Sequence, residues 1–341
     1  MTGSAMEPYD ARYLSILGLS EEAANKMQQA QVYYSAALAI LPIEIQALSR
    51  RFVWQVQKER LNEAVTTAET IFRRWPQYRD VIAPQLPYIL SDPEGYQQII
   101  KRFGDLPGGP VWMIRILSED PEAALLVNRV LFDFNVDHHN AIRPEINRFT
   151  NRLIRQGKAD LAYQMFLNTL DDTEKQENGY VFNGHFNLSP NGNQFDWSLR
   201  NQSGMDYSII ELENNQTGKE RALQVRFLDS PVRFDSVVIL TQLPPSRFKL
   251  TIDYATRSLR GPKPIRLVVD CLEARKATEL TSVEFAIGGS SEQRVNTDFT
   301  IPLTGCGTQR LRLVNDNYVE SWNNRYSGSL LLKSVSISRV Q

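Results

Sequence analysis

The spacing of apolar residues changes once along the chain. Between residues 8 and 172, apolar side chains recur three and four positions apart, which predicts amphipathic α-helices. After residue 180, short runs of alternating apolar and polar residues follow one another between turn residues, which predicts β-strands. The 341-residue chain is therefore expected to contain a helical half followed by a β half.

A proline recurs at a fixed interval in the helical half. Pro42, Pro76 and Pro110 are each 34 residues apart, and 34 residues is the length of a tetratricopeptide repeat. Small residues at the helix contacts support this period, and we expect burial at helix crossings for Ala30, Ala64 and Ala162. Residues 9–172 thus resemble the tetratricopeptide family, which implies an α-solenoid with an irregular, proline-rich centre. Such solenoids commonly hold a protein partner, although these helices could instead only brace the second domain.

The β half carries eight segments with the strand pattern. Turn residues such as Pro244-Pro245 and Gly288-Gly289 separate them. Eight strands without intervening helices indicate an antiparallel β-sandwich of the jelly-roll, galactose-binding-like type. The predicted domain covers residues 181–341, joined to the helices by a polar linker, 173–180. The segments are 222–228, 237–243, 248–257, 265–273, 281–287, 294–303, 309–315 and 329–340.

Short motifs in the β half resemble jelly-roll carbohydrate-binding modules. Asn183-Gly184-His185-Phe186 matches their opening sequence, and Leu243-Pro244-Pro245 begins a segment like one of their strands. The resemblance also covers Phe195-Asp196-Trp197, 221–225 and the last strand, 332–337. It departs at Asn187 and at Lys333-Ser334, where the family has carboxylates that help to hold a structural Ca²⁺. We therefore expect no calcium at this position, because a lysine there opposes a hard cation.

Charge and hydropathy narrow the possible partners. The net charge is −1, with 38 Lys and Arg against 39 Asp and Glu. A large basic face is therefore not expected, which argues against a nucleic-acid partner. No apolar stretch approaches the roughly 20 residues of a membrane span. Residues 1–8 are interpreted as a vector remnant, so a signal peptide or lipid anchor ahead of them would have been removed.

The two cysteines, Cys271 and Cys306, both lie in the β half. Neither belongs to a CxxC pair, which disfavours a zinc or redox motif. We predict one disulfide between neighbouring strands, which suits an oxidising compartment; two buried free thiols are the alternative. A periplasmic or cell-surface location is therefore expected, with a cytoplasmic one as the alternative.

Aromatic and planar polar residues concentrate in the segment 315–326. Sugars are held by aromatic rings stacked on their apolar faces and by amide or guanidinium hydrogen bonds. For Trp197 and Trp322, the alternative is that each ring closes one end of the sandwich core. The predicted carbohydrate-binding residues are Tyr318, Trp322, Asn323, Arg325, Tyr326 and Trp197.

No known catalytic or cofactor-binding motif is present in the sequence, so we predict no catalytic residue and no cofactor. The pair His138-His139 could reach a metal together with Asp133 and Asp137, but adjacent histidines do not share a face of a helix. An exposed loop is the preferred interpretation, and no metal is predicted.

These patterns predict a non-enzymatic binding or scaffold protein. A tetratricopeptide array joined to such a β domain looks like bacterial envelope proteins of exopolysaccharide synthesis or export. The helices would engage a protein partner, and the sandwich would contact polysaccharide. Two alternatives stay open: a polysaccharide-active enzyme with an interdomain site, and an assembly factor that binds only protein.

Overall fold

The protein is represented by a computed structural model that describes residues 10–133, 139–214, 218–232, 237–272, 277–315 and 325–340. It separates into two compact units, Met1–His138 and His139–Gln341. The division between them lies well before the predicted linker at 173–180. The last helices of the predicted solenoid therefore belong to the same unit as the β-strands.

The first unit is helical in its described part. Short 3₁₀ turns at Pro76–Val81 and Ala83–Gln85 interrupt the helices where prolines accumulate. Consecutive helices pack against each other, α1 on α2 and α3 on α4. The helices are α1 (Ala11–Ala23), α2 (Met27–Ile40), α3 (Ile45–Gln57), α4 (Leu61–Arg74), α5 (Leu86–Ser91), α6 (Pro93–Phe103), α7 (Gly109–Leu117) and α8 (Ala124–Asp133).

Small residues allow these helices to approach closely. Ala30 and Ala64 are completely buried, as expected at helix crossings. Gly18 on α1 faces the Tyr34 ring on α2, and a Cβ at Gly18 would come within 2.5 Å of that ring. A larger side chain at Gly18 would therefore force the pair apart. The helical architecture is present, whereas its tetratricopeptide identity stays a prediction.

Three further helices open the second unit: α9 (His139–Arg155), α10 (Ala159–Asn168) and α11 (Asp172–Gln176). Helix α11 occupies part of the predicted linker. Asp171 caps this helix, and its carboxylate and that of Glu174 accept each other's backbone N–H groups at 2.8 and 3.0 Å. Glu174 also forms a largely buried, two-pronged ion pair with Arg143 on α9. The segment is thus held in place by specific bonds.

The strands form two five-stranded antiparallel sheets. The bounds are β1 (Ser198–Leu199), β2 (Met205–Asn214), β3 (Gly218–Pro231), β4 (Val237–Thr241), β5 (Ser246–Arg260), β6 (Ile265–Leu272), β7 (Ala277–Glu284), β8 (Gly288–Ile301), β9 (Gln309–Asn315) and β10 (Arg325–Arg339). The first sheet has the order β1-β4-β9-β6-β7, and the second has the order β2-β3-β10-β5-β8. Most consecutive strands lie in opposite sheets, which is the arrangement of a jelly roll.

The alternation of side chains defines the inner and outer faces of each sheet. On β9, Leu311 and Leu313 are completely buried, and Arg310 and Arg312 lie on the opposite face. The predicted pairing of the cysteines is present as a disulfide, with the Cα atoms of Cys271 and Cys306 5.2 Å apart. Cys271 lies on β6, which pairs with β9 three residues beyond Cys306. The bond therefore ties the loop before β9 to the sheet.

Helices α9 and α10 pack on the loop that precedes β1. The Phe166 ring lies 5.1 Å from the Phe182 ring and 5.8 Å from the Phe195 ring. Beside these rings, the Asn193 side chain donates to Asn147 Oδ1 at 2.8 Å and to Thr150 Oγ1 at 3.2 Å. Aromatic burial and buried amide hydrogen bonds therefore join the helices to the sandwich.

This packing predicts where an independently folding fragment begins. A fragment 139–341 should unfold cooperatively, because it keeps every partner of Phe182 and Phe195 described above. A fragment 177–341 should melt at a clearly lower temperature, since it exposes those rings. Thermal unfolding by circular dichroism measures the difference. In the full chain, Phe166→Ala should lower the stability of this unit by about 3–5 kcal/mol. Equal melting temperatures for the two fragments would show that α9–α11 are dispensable.

Candidate functional site

The predicted sugar-binding residues fall into three groups. Tyr318, Trp322 and Asn323 lie outside the described residues. Trp197 and Tyr326 are each only 1% exposed. Arg325 is exposed and forms an ion pair with Asp229, with Nη1 and Oδ2 3.6 Å apart. Of the described residues in the prediction, only Arg325 presents its side chain to solvent.

Trp197 is a core residue, which corrects its prediction as a sugar-binding ring. Its indole N–H donates to the backbone carbonyl of Asn183 at 3.2 Å. Its ring lies 5.3 Å from the Phe186 ring, which is also buried. No face of the indole is open to a ligand, because both its polar and its apolar parts are engaged inside the domain.

Tyr326 is a core residue too, and its prediction is corrected for the same reason. Its hydroxyl donates to the carbonyl of Lys263 at 3.1 Å, and its ring lies 5.7 Å from that of Phe227. Gly261 packs so closely that a Cβ there would lie 2.2 Å from the tyrosine ring. The ring therefore fixes the loop before β6 and is closed to sugar.

Aromatic side chains in the described part of the second unit are directed inward. Among these described residues no Phe, Tyr or Trp side chain is exposed, and Tyr163, Tyr180 and Tyr207 are half-buried. A stacking surface for sugar is therefore not supplied by the described residues of this unit.

The outer face of the first sheet carries a cluster of buried and half-buried charges. Asp270 on β6 is 1% exposed and lies opposite Arg310 of the neighbouring strand β9. Arg310 binds both carboxylate oxygens through Nε and Nη2 at 3.0 Å each. Arg312 adds a bond from its Nε at 2.7 Å. Two guanidinium groups thus compensate one buried carboxylate, and Arg310 by itself binds both of its oxygens.

A third arginine extends this charged face along β6. Arg266 donates through Nη1 to Glu279 at 3.2 Å and to Ser282 at 3.0 Å, both on the adjacent strand β7. Val268 lies between Arg266 and Asp270 on the same face and is 1% exposed. We call the set Arg266, Asp270, Arg310 and Arg312 the arginine face.

The sequence carried signals for this face that the prediction did not use. In the segment QRLRLVN, arginines alternate with buried leucines, which places both guanidinium groups on one side of a strand. In IRLVVDCL, an aspartate interrupts an apolar strand, and such a charge requires a partner. The pairing of the two strands was the missing information.

Comparison with known proteins gives structural likenesses only. Neither a protein-family model nor a curated protein matches the chain. Its structural neighbours are mostly carbohydrate-binding modules, which cover the C-terminal β part, and they include the enzymatically active domain of tailspike protein 4 of bacteriophage CBA120.

One neighbour is described as a CBM4 structure, with 10% identity, a TM-score of 0.34, and coverage of 47% of this chain and 99% of that one. A family 16 module has 10% identity and a TM-score of 0.32, covering 47% of this chain and 100% of that one. The CBM22-1 xylan-binding domain of Xyn10C from Paenibacillus barcinonensis has 11% identity and a TM-score of 0.30, covering 42% and 86%. With TM-scores below 0.5, these likenesses carry no argument about ligand or activity.

Lys333 supplies a fixed positive charge on the second sheet. Its Nζ lies 2.6 Å from Glu292 Oε1 and 3.1 Å from Glu220 Oε2. Burial opposes the charged form, but the two carboxylates outweigh it and raise the pKa of Lys333. The ammonium group therefore stands at the sequence position where the carbohydrate-binding modules that the chain resembles have a carboxylate. Within the described ranges, no group of three or more His, Cys, Asp or Glu side chains is arranged to hold a metal ion.

Two cavities adjoin Trp54 in the first unit. One has a volume of about 600 Å³ and the other about 480 Å³. Both are lined by Gln31, Tyr34 and Trp54, so together they form a depression that crosses α2 and α3. Arg60 lies 5.1 Å from the centre of the Trp54 ring.

None of the described helices is long and apolar enough to cross a membrane.

A buried carboxyl group lies beneath the loop that joins the helices to the sandwich. Asp196 is completely buried and accepts bonds from the backbone N–H groups of Asn191 and Trp197, each at 2.7 Å. The effect of burial outweighs the effect of these hydrogen bonds and raises the pKa of Asp196 to about 6. The nearby Glu174 has a lowered pKa: burial opposes its ionisation, but Arg143 and the Asp171 backbone overcome it.

The raised pKa of Asp196 predicts a specific loss of stability as pH rises. The folded state favours the neutral acid, so this group stabilises the fold fully below about pH 4 and loses that contribution as pH rises through about 6. Relative to Asp196→Asn, the wild type should lose roughly 2–3 kcal/mol between pH 4 and pH 7.5. Urea denaturation at several pH values measures this difference. Asp206→Asn removes an exposed carboxylate and serves as the control. Parallel pH profiles for wild type and Asp196→Asn would disprove the prediction.

Proposed function

We propose that the second unit is a non-enzymatic polysaccharide-binding domain whose binding surface is the arginine face. The observation that carries the proposal is the pair of guanidinium groups held by buried Asp270. Arg310 and Arg312 are 26% and 34% exposed, whereas the carboxylate beneath them is 1% exposed. Buried Asp270 therefore fixes the two guanidinium groups, and solvent still reaches both of them.

This geometry suits recognition of sugar hydroxyl groups. Each guanidinium group has five N–H donors in one plane. Asp270 engages two N–H groups of Arg310 and one of Arg312, so donors remain for a ligand. Because Asp270 fixes the orientation of both planes, little side-chain freedom is lost on binding. The sequence motifs that resemble those of carbohydrate-binding modules, such as Asn183-Gly184-His185-Phe186, support the same class of ligand.

The segment that follows β9 supplies the aromatic component of the proposal. Asn315 ends the strand that carries Arg310 and Arg312, and the chain from there to Arg325 contains Tyr318, Trp322 and Asn323. Rings and amides adjoining a guanidinium face would combine stacking with hydrogen bonding. Arg325 is the described and exposed member of this group.

The first unit is proposed to hold a protein partner. The depression beside Trp54 supports this role, because its combined apolar and polar lining suits an extended peptide. The disulfide between Cys271 and Cys306 supports a periplasmic or cell-surface location, since such bonds persist in oxidising compartments. A role in exopolysaccharide synthesis or export would combine both units.

The arginine face is tested by affinity electrophoresis in gels that contain soluble β-linked polysaccharides. Arg312→Met should abolish the retardation given by the cognate polysaccharide, because it removes exposed donors and leaves Arg310 on Asp270. Arg226→Met is the matched control: Arg226 is an exposed arginine of the second sheet, paired with Asp206 at 2.8 Å. If the two variants behave alike, the arginine face is not the binding surface. Release of reducing ends by the wild type would favour the enzyme alternative.

The aromatic component requires its own variant. Trp322→Ala should abolish retention on the same polysaccharide and leave the melting temperature nearly unchanged. A ring that belongs to the core would give the opposite pattern, with a loss of about 3–5 kcal/mol in stability. Running thermal unfolding beside affinity electrophoresis separates the two outcomes.

A further inference from the structure

A further cavity of the first unit is lined by three arginines, and only one of them, Arg73, has a carboxylate partner among the described residues. It has a volume of about 400 Å³ and lies where α4 ends, beside the loop between α6 and α7. This volume lies within the range typical of pockets for small organic groups. The lining residues are Phe72, Arg73, Arg74, Arg79, Leu106 and Pro107.

Arg79 is fixed in place without any neutralising charge. Its Nε and Nη2 donate to the backbone carbonyl of Phe72 at 3.3 and 3.2 Å. Its guanidinium group lies 3.6 Å from the centre of the Phe72 ring. The carbonyl and the ring orient the side chain, and its other N–H groups are left for a further acceptor.

Two more arginines add positive charge near Arg79: Arg74, which lines the same cavity, and Arg115. Burial, followed by the neighbouring Arg115, lowers the pKa of Arg79, so the two guanidinium groups repel each other. Arg74 and Arg115 form no ion pair or hydrogen bond with the part of the chain that the structure describes. Arg73 is different, because Glu69 neutralises it at 3.0 Å. A bound anion would relieve the repulsion between Arg79 and Arg115, and it would also meet Arg74, which lines the same cavity.

A buried donor belongs to the aromatic residue that packs against Phe72. The Trp112 indole is 3% exposed, and its N–H meets no acceptor among the described residues. Its ring lies 5.3 Å from the Phe72 ring that supports Arg79. The neighbourhood of the cavity therefore has more donors than the protein itself satisfies.

We propose that this cavity binds a carboxylate side chain of an acidic peptide segment of the partner protein. A peptide is favoured over a long polyanion because residues 1–138 carry 13 Lys and Arg against 17 Asp and Glu, a net charge of −4. A polymer with many charges would be repelled by the rest of the unit, whereas one acidic side chain beside an apolar one fits arginines next to Phe72 and Leu106. This assignment rests on the proposed protein-binding role of the helices.

The test uses the full chain and a fluorescein-labelled hexapeptide of alternating leucine and glutamate. Fluorescence anisotropy should show binding that disappears when glutamine replaces glutamate in the peptide. Arg74→Gln should weaken binding about tenfold, as expected for loss of a charge-assisted contact, and Arg115→Gln should weaken it less, because Arg115 does not line the cavity. Neither side chain has a partner in the described protein, so both variants should fold. Arg12→Gln removes an exposed charge away from both depressions of the unit and should change affinity less than about twofold, the scale of an exposed and screened charge.

Three results would overturn the proposal: no peptide binding at millimolar concentration, equal binding of the glutamine peptide, or an equal effect of Arg12→Gln and Arg74→Gln. Displacement of the peptide by inorganic phosphate at lower concentration than by acetate would assign the cavity to phosphate instead. Polysaccharide retention measured on the same variants should be unchanged. A failure of this inference is thereby distinguished from a failure of the polysaccharide-binding proposal.

Discussion

The structure of the second unit depends on the burial of three aromatic rings between helix and loop. Phe166 on α10 packs against Phe182 and Phe195, which belong to the irregular segment that leads into the sandwich. Without the helix, that segment would expose both rings to water, at a cost proportional to their apolar area. The helices and the sandwich therefore form one cooperative unit, and the boundary of this unit falls before α9.

This packing also explains the charges buried nearby. Once the helices cover the loop, Asp196 loses contact with water and must rely on backbone N–H groups, so its pKa rises. Glu174 is covered by the same packing but faces Arg143, and its pKa falls. Two neighbouring carboxyl groups therefore respond to burial in opposite directions, because only one of them has a guanidinium partner.

The sequence predicted well those features that depend on neighbouring residues. Each of the eight predicted strand segments corresponds to a strand, because the alternation of apolar and polar residues is local. Strand β2 was missed although its sequence, MDYSIIELEN, contains a short apolar run. The disulfide was also foreseeable, since two cysteines in one β domain have few alternatives. The boundary between the units was not, because the contacts of Phe166 join residues that no local pattern connects.

The candidate site was harder to predict, because it depends on which face of a strand a residue occupies. Tyr326 follows a polar, aromatic segment and looked exposed, yet the register of β10 shifts between Tyr326 and Ser327 and the ring is buried. The arginine face was missed because its residues are distant in the sequence. Asp270 and Arg310 are 40 residues apart, and only the pairing of β6 with β9 brings them together.

The two arginine clusters differ in what holds them, and this difference favours a different class of ligand in the proposal for each. On the sheet, Asp270 already neutralises part of the charge of Arg310 and Arg312, so their remaining N–H groups suit neutral acceptors such as hydroxyl groups. In the helical unit, Arg79 is supported by a carbonyl and a ring, neither of which removes its charge. An incoming group there gains most if it is anionic. Binding at the cavity should therefore weaken steeply with added salt, whereas binding at the sheet should depend on salt only slightly.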